Sequence, residues 1–166
     1  MTVTNVHKDH ATLTMTIRAE FVASIERVWQ MWENPRLLER WWGPPTYPAT
    51  FTDHDLTPGG RAAYFMTGPE GDTPGGWWRV LAVDAPHSLS FENGFADQAG
   101  EPDANMPVTR ITATLAEDSG GRVHMAIETV FPSVDVMDQL VSMGMDEGMS
   151  AAMGQIDELL VSDSVA

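Results

Sequence analysis

The sequence predicts an α+β domain, with helices laid on one face of an antiparallel sheet. Three patterns predict it. Short segments alternate apolar and polar residues with period two, and glycine- and proline-rich turns separate them, as in hairpin-connected strands. A C-terminal stretch carries an apolar residue every three or four positions, the stripe of a helix resting on a sheet. Between them the elements follow one another without an internal repeat, a low-complexity run or a linker. At 166 residues the chain suits one domain, read here as residues 11–163 behind a flexible arm at residues 1–10.

The elements follow in order. The opening ten residues are polar and aperiodic, which is why they read as an arm. Leu13, Met15, Ile17 and Ala19 alternate with Thr12, Thr14, Thr16 and Arg18, a strand with one buried face. Ser24 is placed to cap a helix whose Ile25, Val28, Trp29 and Trp32 share one side. Asn34-Pro35 stops that helix and starts a second short one presenting Leu38 and Trp41, before Gly43-Pro44-Pro45 breaks it. Strands are expected over Tyr47 to Asp55, Arg61 to Thr67, Gly76 to Val83 and Ser88 to Asn93. A long acidic loop over residues 94–107 precedes strands around Thr109–Leu115 and Val123–Phe131, joined by a turn at Ser119-Gly120-Gly121. Pro132-Ser133 then opens one long helix, Ser133 to Val161, with Met137, Val141, Met145, Met149, Ala152, Ile156 and Leu159 along its stripe.

Charge and composition exclude several function classes. Nine Lys and Arg against 24 Asp and Glu give a net charge of −15, which repels phosphate backbones and anionic lipid. No nucleic-acid partner is expected. No apolar run is long enough to span a bilayer and the start has no signal-peptide core, so no membrane insertion is expected and the chain reads as a soluble, cytoplasmic, bacterial protein. The absence of cysteine excludes a disulfide scaffold, a thiolate metal site and a thiol nucleophile. A hydrophobic share of 43% supports a core without such staples.

A set of short words recurs along this frame: Arg27-Val28-Trp29 with Trp32, Asn34 and Pro35; Trp41-Trp42-Gly43-Pro44; Asp55 with Pro58-Gly59-Gly60. Further on come Gly68-Pro69-Glu70-Gly71, Pro86 with Leu89 and Phe91, and Gly144-Met145 with Glu147-Gly148. From about Phe21 to Leu160 the chain resembles the START-like, or SRPBCC, superfamily, and within it the stand-alone domains related to the activator of heat-shock-protein-90 ATPase. The resemblance implies a helix-grip fold, in which a curved antiparallel sheet wraps a long C-terminal helix, with two short helices after the first strand. It also implies a pocket between helix and sheet. The chain departs from the family at Met149, where a Trp often stands. The family's eukaryotic chaperone activators carry an additional N-terminal domain, for which 166 residues leave no room, which counts against a chaperone partner.

The expected pocket lining is Trp41, Asp55, Arg61, Tyr64, Phe65, Trp78, Phe91, Ile111, Met125, Met145, Gly148, Met149 and Ala152. Gly148 falls near the centre of the helical stripe, where glycine costs about 1 kcal/mol against alanine. It either leaves a cavity open or permits a close helix–sheet approach or a bend. Methionines on the same helix form either an adaptable wall for varied ligands or plain core. Of the pairs Trp41-Trp42 and Trp77-Trp78, one ring each is expected to face inward and the other elsewhere. Arg61 either pairs on the surface with Asp55 or Asp53, or points inward as a cation for an acidic or carbonyl ligand.

Catalytic words are few. Asp53-His54-Asp55 has the composition of a metal cluster, but a strand would turn His54 away from both carboxylates, so no metal is expected. His7 and His10 lie on the arm, His124 on a solvent face and His87 beside Pro86. No serine sits in a nucleophile elbow and no glycine word has phosphate-loop form. The leading expectation is a binding module that holds a small hydrophobic molecule between the last helix and the sheet, without a cofactor. The alternatives are a cofactor-independent cyclase, dehydratase or hydrolase-like enzyme, and an interaction protein that partners a chaperone or forms a homodimer.

Overall fold

A computed structural model describes residues 3–165. Eight strands form one antiparallel sheet: β1 (Val3–Asp9), β2 (Thr14–Phe21), β3 (Ala49–His54), β4 (Arg61–Met66), β5 (Gly75–Asp84), β6 (Ser88–Ala96), β7 (Thr109–Glu117) and β8 (Val123–Val130). Their order across the sheet is β1-β2-β8-β7-β6-β5-β4-β3. Helices α1 (Ile25–Glu33) and α2 (Pro35–Leu38) follow β2, and α3 (Val134–Ser142), α4 (Met145–Met153) and α5 (Ile156–Val165) follow β8. The sheet is curved and open, and the helices lie on its concave side, which is the α+β helix-grip arrangement.

Local chemistry sets the helix starts. The Ser24 side chain accepts a hydrogen bond from the Arg27 amide, and Asn34 does the same for Arg36 ahead of Pro35. Ser133 caps α3 by accepting from the Val136 amide.

Two expectations are corrected. Residues Val3–Asp9 of the expected arm form edge strand β1, paired antiparallel with β2, while Met1 and Thr2 lie outside the described residues. Five consecutive residues of β1, Thr4 to Lys8, are exposed, so it carries no alternation to read; backbone pairing with β2 holds it, together with the ion pair from Lys8 to Asp146 of α4 at 2.7 Å. The single long helix over Ser133 to Val161 is instead three helices. Gly144 adopts φ +89°, a left-handed conformation that ends α3 and caps α4. The second break, at Gly154-Gln155, is held where the Gln155 side-chain amide donates to the Gly43 carbonyl at 2.7 Å. An apolar stripe records which side faces the sheet, and it persists across breaks that keep the same facing.

The core lies between the concave face and the helices. Its centre is aromatic: Trp32 meets Trp41 edge-on at 4.9 Å, Trp42 meets Trp78 at 4.9 Å, and Trp78 stacks on Phe91 at 4.0 Å. Both Trp41 and Trp42 are buried, whereas one of them was expected to face elsewhere. They follow α2 in a turn that directs both rings into the core, where Trp42 meets Trp41 at 5.6 Å and Trp78 at 4.9 Å.

Candidate functional site: an uncharged cavity under the broken helix

Past the aromatic centre, toward the α3–α4 joint, the concave face and the helices diverge. The space left is a cavity of about 290 Å³, close to the lower limit of roughly 300 Å³ for small-molecule sites. The sheet contributes Tyr64 and Met66 from β4, Asn93 and Phe95 from β6, and Thr109 from β7. The helical side contributes Leu140, Met143, Gly144, Met145, Gly148 and Met149, and Trp42, Pro44 and Pro107 complete the rim. Among the described residues, none that lines it carries a charge, in a chain of net charge −15. Met143 is 61% exposed, which marks the side where the cavity meets solvent.

Gly148 decides how much of this space exists. A Cβ built on it would meet nothing within 4 Å, so the glycine faces open space and not a tightly apposed strand. Of its alternative readings, close helix–sheet approach is the one the geometry removes. Gly76 plays the opposite part: opposite Tyr64 in the β4–β5 pairing, its missing Cβ would lie 2.3 Å from the Tyr64 hydroxyl oxygen. The Tyr64 ring therefore lies across Gly76 and is held at the cavity wall.

The polar content is small and concentrated. The Tyr64 hydroxyl donates to Asn93 Oδ1 at 3.3 Å, and Thr109 Oγ1 donates to the Asn93 carbonyl at 3.4 Å. Burial pushes the Tyr64 phenol up to about 12, although a hydrogen bond from the Trp42 side chain acts in the other direction. Tyr64 is thus a protonated hydrogen-bonding group across the physiological range.

Of the residues expected to line a pocket, Tyr64, Met145, Gly148 and Met149 border this cavity. Trp41, Trp78, Phe91, Ile111, Met125 and Ala152 do not; they are at most 1% exposed and fill the core beside it. The sheet residues among them are on the concave face but too near its middle. Phe91 shares that face with Asn93 and Phe95, and Ile111 with Thr109, so stepping two residues toward the strand end reaches the cavity. Arg61 and Phe65 are on the opposite face. Both flank Tyr64 at odd spacing, and they border an outer depression of about 510 Å³ where Arg61 Nη2 donates to the Gly100 carbonyl at 3.0 Å. Asp55 sits past the end of β3, exposed, and accepts from Thr57 Oγ1 at 2.8 Å. Neither Arg61 nor Asp55 reaches the cavity.

Metal ligands are not gathered there. His54 Nε2 lies 3.0 Å from the Trp32 carbonyl and is engaged away from its neighbouring aspartates. Among the described residues, Glu20, Asp118 and His124 bring ligand atoms within 4.8 Å of one another, on a different part of the molecule. Arg122 already donates to Glu20 at 2.8 Å, and His124 Nε2 lies 2.8 Å from Asp118 Oδ2. Among the described residues no helix is long and apolar enough to cross a membrane.

A curved antiparallel sheet closed by C-terminal helices over an apolar cavity defines a START-like, helix-grip domain of the ligand-binding type. The chain belongs to the family described as Activator of Hsp90 ATPase homolog 1-like protein, whose model matches residues 22–161. Among solved structures it is similar to protein Ms6760 from Mycobacterium smegmatis, with 47% identity over 95% of this chain and 96% of that one and a TM-score of 0.87. A protein from Arthrobacter aurescens shares 48% identity, with coverage of 97% and 93% and a TM-score of 0.92. One from Staphylococcus epidermidis shares 27% identity, with coverage of 96% and 95% and a TM-score of 0.83. No curated protein matches the chain.

Proposed function

We propose that the protein is a binding module that takes up a small, uncharged, predominantly apolar molecule between α4 and the sheet. The observation that carries this reading is Gly148: a helix-interior glycine, unfavourable by about 1 kcal/mol, facing open space inside an uncharged cavity. Flexible Met143, Met145 and Met149 on one side and the held rings of Trp42 and Tyr64 on the other form an adaptable wall against a fixed one. A phenol pushed up to about 12 stays protonated at neutral pH, so Tyr64 serves as a hydrogen-bond donor to a bound molecule and not as a general base.

Gly148→Leu tests the reading. Leucine supplies four carbons to the empty space and raises helix propensity. Stability should hold or rise by up to about 1 kcal/mol, while the dissociation constant for prodan, a neutral naphthalene ketone, should increase at least about tenfold. Thermal melting and fluorescence titration measure the two. A destabilised variant that binds prodan as well as the parent does would refute the cavity as the binding site.

A further inference from the structure

Resting on that reading, we infer that the cavity selects molecules carrying a carbonyl group, and that Tyr64 and Asn93 are the residues that recognise it. An apolar cavity could be wholly apolar, yet this one holds a hydrogen-bonded pair of uncharged side chains in its wall. Each member is positioned. The ring of Tyr64 crosses Gly76 and meets the Trp42 ring edge-on, with centroids 6.3 Å apart, while the main chain of Asn93 is fixed by pairing with Trp78 on one side and Thr109 on the other.

The hydrogen-bond inventory gives the chemistry. Asn93 Oδ1 is occupied by the Tyr64 hydroxyl, and among the described residues no partner takes the two Nδ2 hydrogens. The tyrosine oxygen is a proton donor whose acceptor is that same Oδ1, at a long 3.3 Å. The pair therefore offers donors. An incoming carbonyl oxygen has two lone pairs and can accept from Asn93 Nδ2 and, as the hydroxyl rotates, from Tyr64. A carboxylate would also be an acceptor, but among the described residues no cation lines the cavity to offset its desolvation. A hydrocarbon would leave the donors uncompensated. Neutral ketones, esters and amides of modest size are the class that fits.

A matched pair of probes separates this inference from the cavity reading beneath it. Tetralin and α-tetralone share one bicyclic skeleton and differ by a methylene replaced with a carbonyl. The intact protein should bind α-tetralone roughly three- to tenfold more tightly than tetralin by calorimetry or NMR titration. Tyr64→Phe and Asn93→Leu, each close to isosteric, should bring that ratio toward one while both variants still bind tetralin. Equal affinity for the two probes in the parent would overturn carbonyl recognition and leave the apolar cavity standing. A ratio that survives in both variants would overturn the assignment to these residues. Binding of neither probe would refute the cavity reading itself, and the inference with it.

Discussion

Replacing Trp32 with alanine is expected to cost about 3–5 kcal/mol, a large part of the 5–15 kcal/mol that holds a domain of this kind folded. Trp32 is fully buried where three parts of the fold meet: α1 carries it, Trp41 and Trp42 contact it from the turn after α2, and Trp78 and Phe91 contact it from the sheet. Its indole N–H points to Met125 Sδ at 3.4 Å, so no strong hydrogen bond complicates the loss. Removing the ring leaves a void bounded by other rigid rings, which cannot collapse into it, so the cost should fall in the upper part of the range. Urea unfolding should show a lowered midpoint, and the melting temperature should drop by on the order of 10 °C. An unshifted transition would mean that the aromatic cluster is not the centre of the core.

Gly43→Ala should be damaging although it adds a single methyl. A Cβ at this position would stand 2.0 Å from the Tyr47 carbonyl oxygen and 3.1 Å from the Ala49 nitrogen. Those atoms belong to the backbone, so no side chain can swing aside, and the turn between Trp42 and β3 must open. Its opening moves Trp42 and Pro44, which border the cavity, and strains the hydrogen bond by which Gln155 joins α4 and α5 to this turn. A loss of about 1–3 kcal/mol is expected, together with weaker prodan binding. Gly148→Ala is the contrasting control, because nothing stands within 4 Å of its Cβ and helix propensity favours alanine. Equal stability of Gly43→Ala and the parent would show that this turn is not tightly closed.

Much of the fold was legible because its determinants are local. Ser24 and Asn34-Pro35 announce the helix starts by their chemistry, and the alternations in β2, β7 and β8 announce their buried faces. β1 was not legible, since a strand exposed along most of its length has no buried face to leave a pattern. The break at Gly144 was present as a residue but not as a conformation; a helical stripe tolerates glycine, and only the φ of +89° ends the helix. The site was read in part. Gly148 stood out because a helix interior disfavours glycine, and its surroundings gave the reason. Asn93 passed unnoticed, being one polar residue in a strand, yet it has the same parity as Phe91. Which end of a sheet a cavity occupies depends on where the helices diverge, and that is a property of the assembled layers.

Where a small neutral ligand binds decides whether the cavity is a binding site. Titrating α-tetralone into the nitrogen-15-labelled protein, with backbone amides followed by two-dimensional NMR, locates it residue by residue. The predicted result is a set of saturable shifts centred on Tyr64, Asn93, Thr109, Gly148 and Met149, which border one cavity from both of its sides. Shifts centred instead on the outer depression around Arg61, Phe65 and Gly100, or no saturable shift up to the solubility of the ketone, would contradict it.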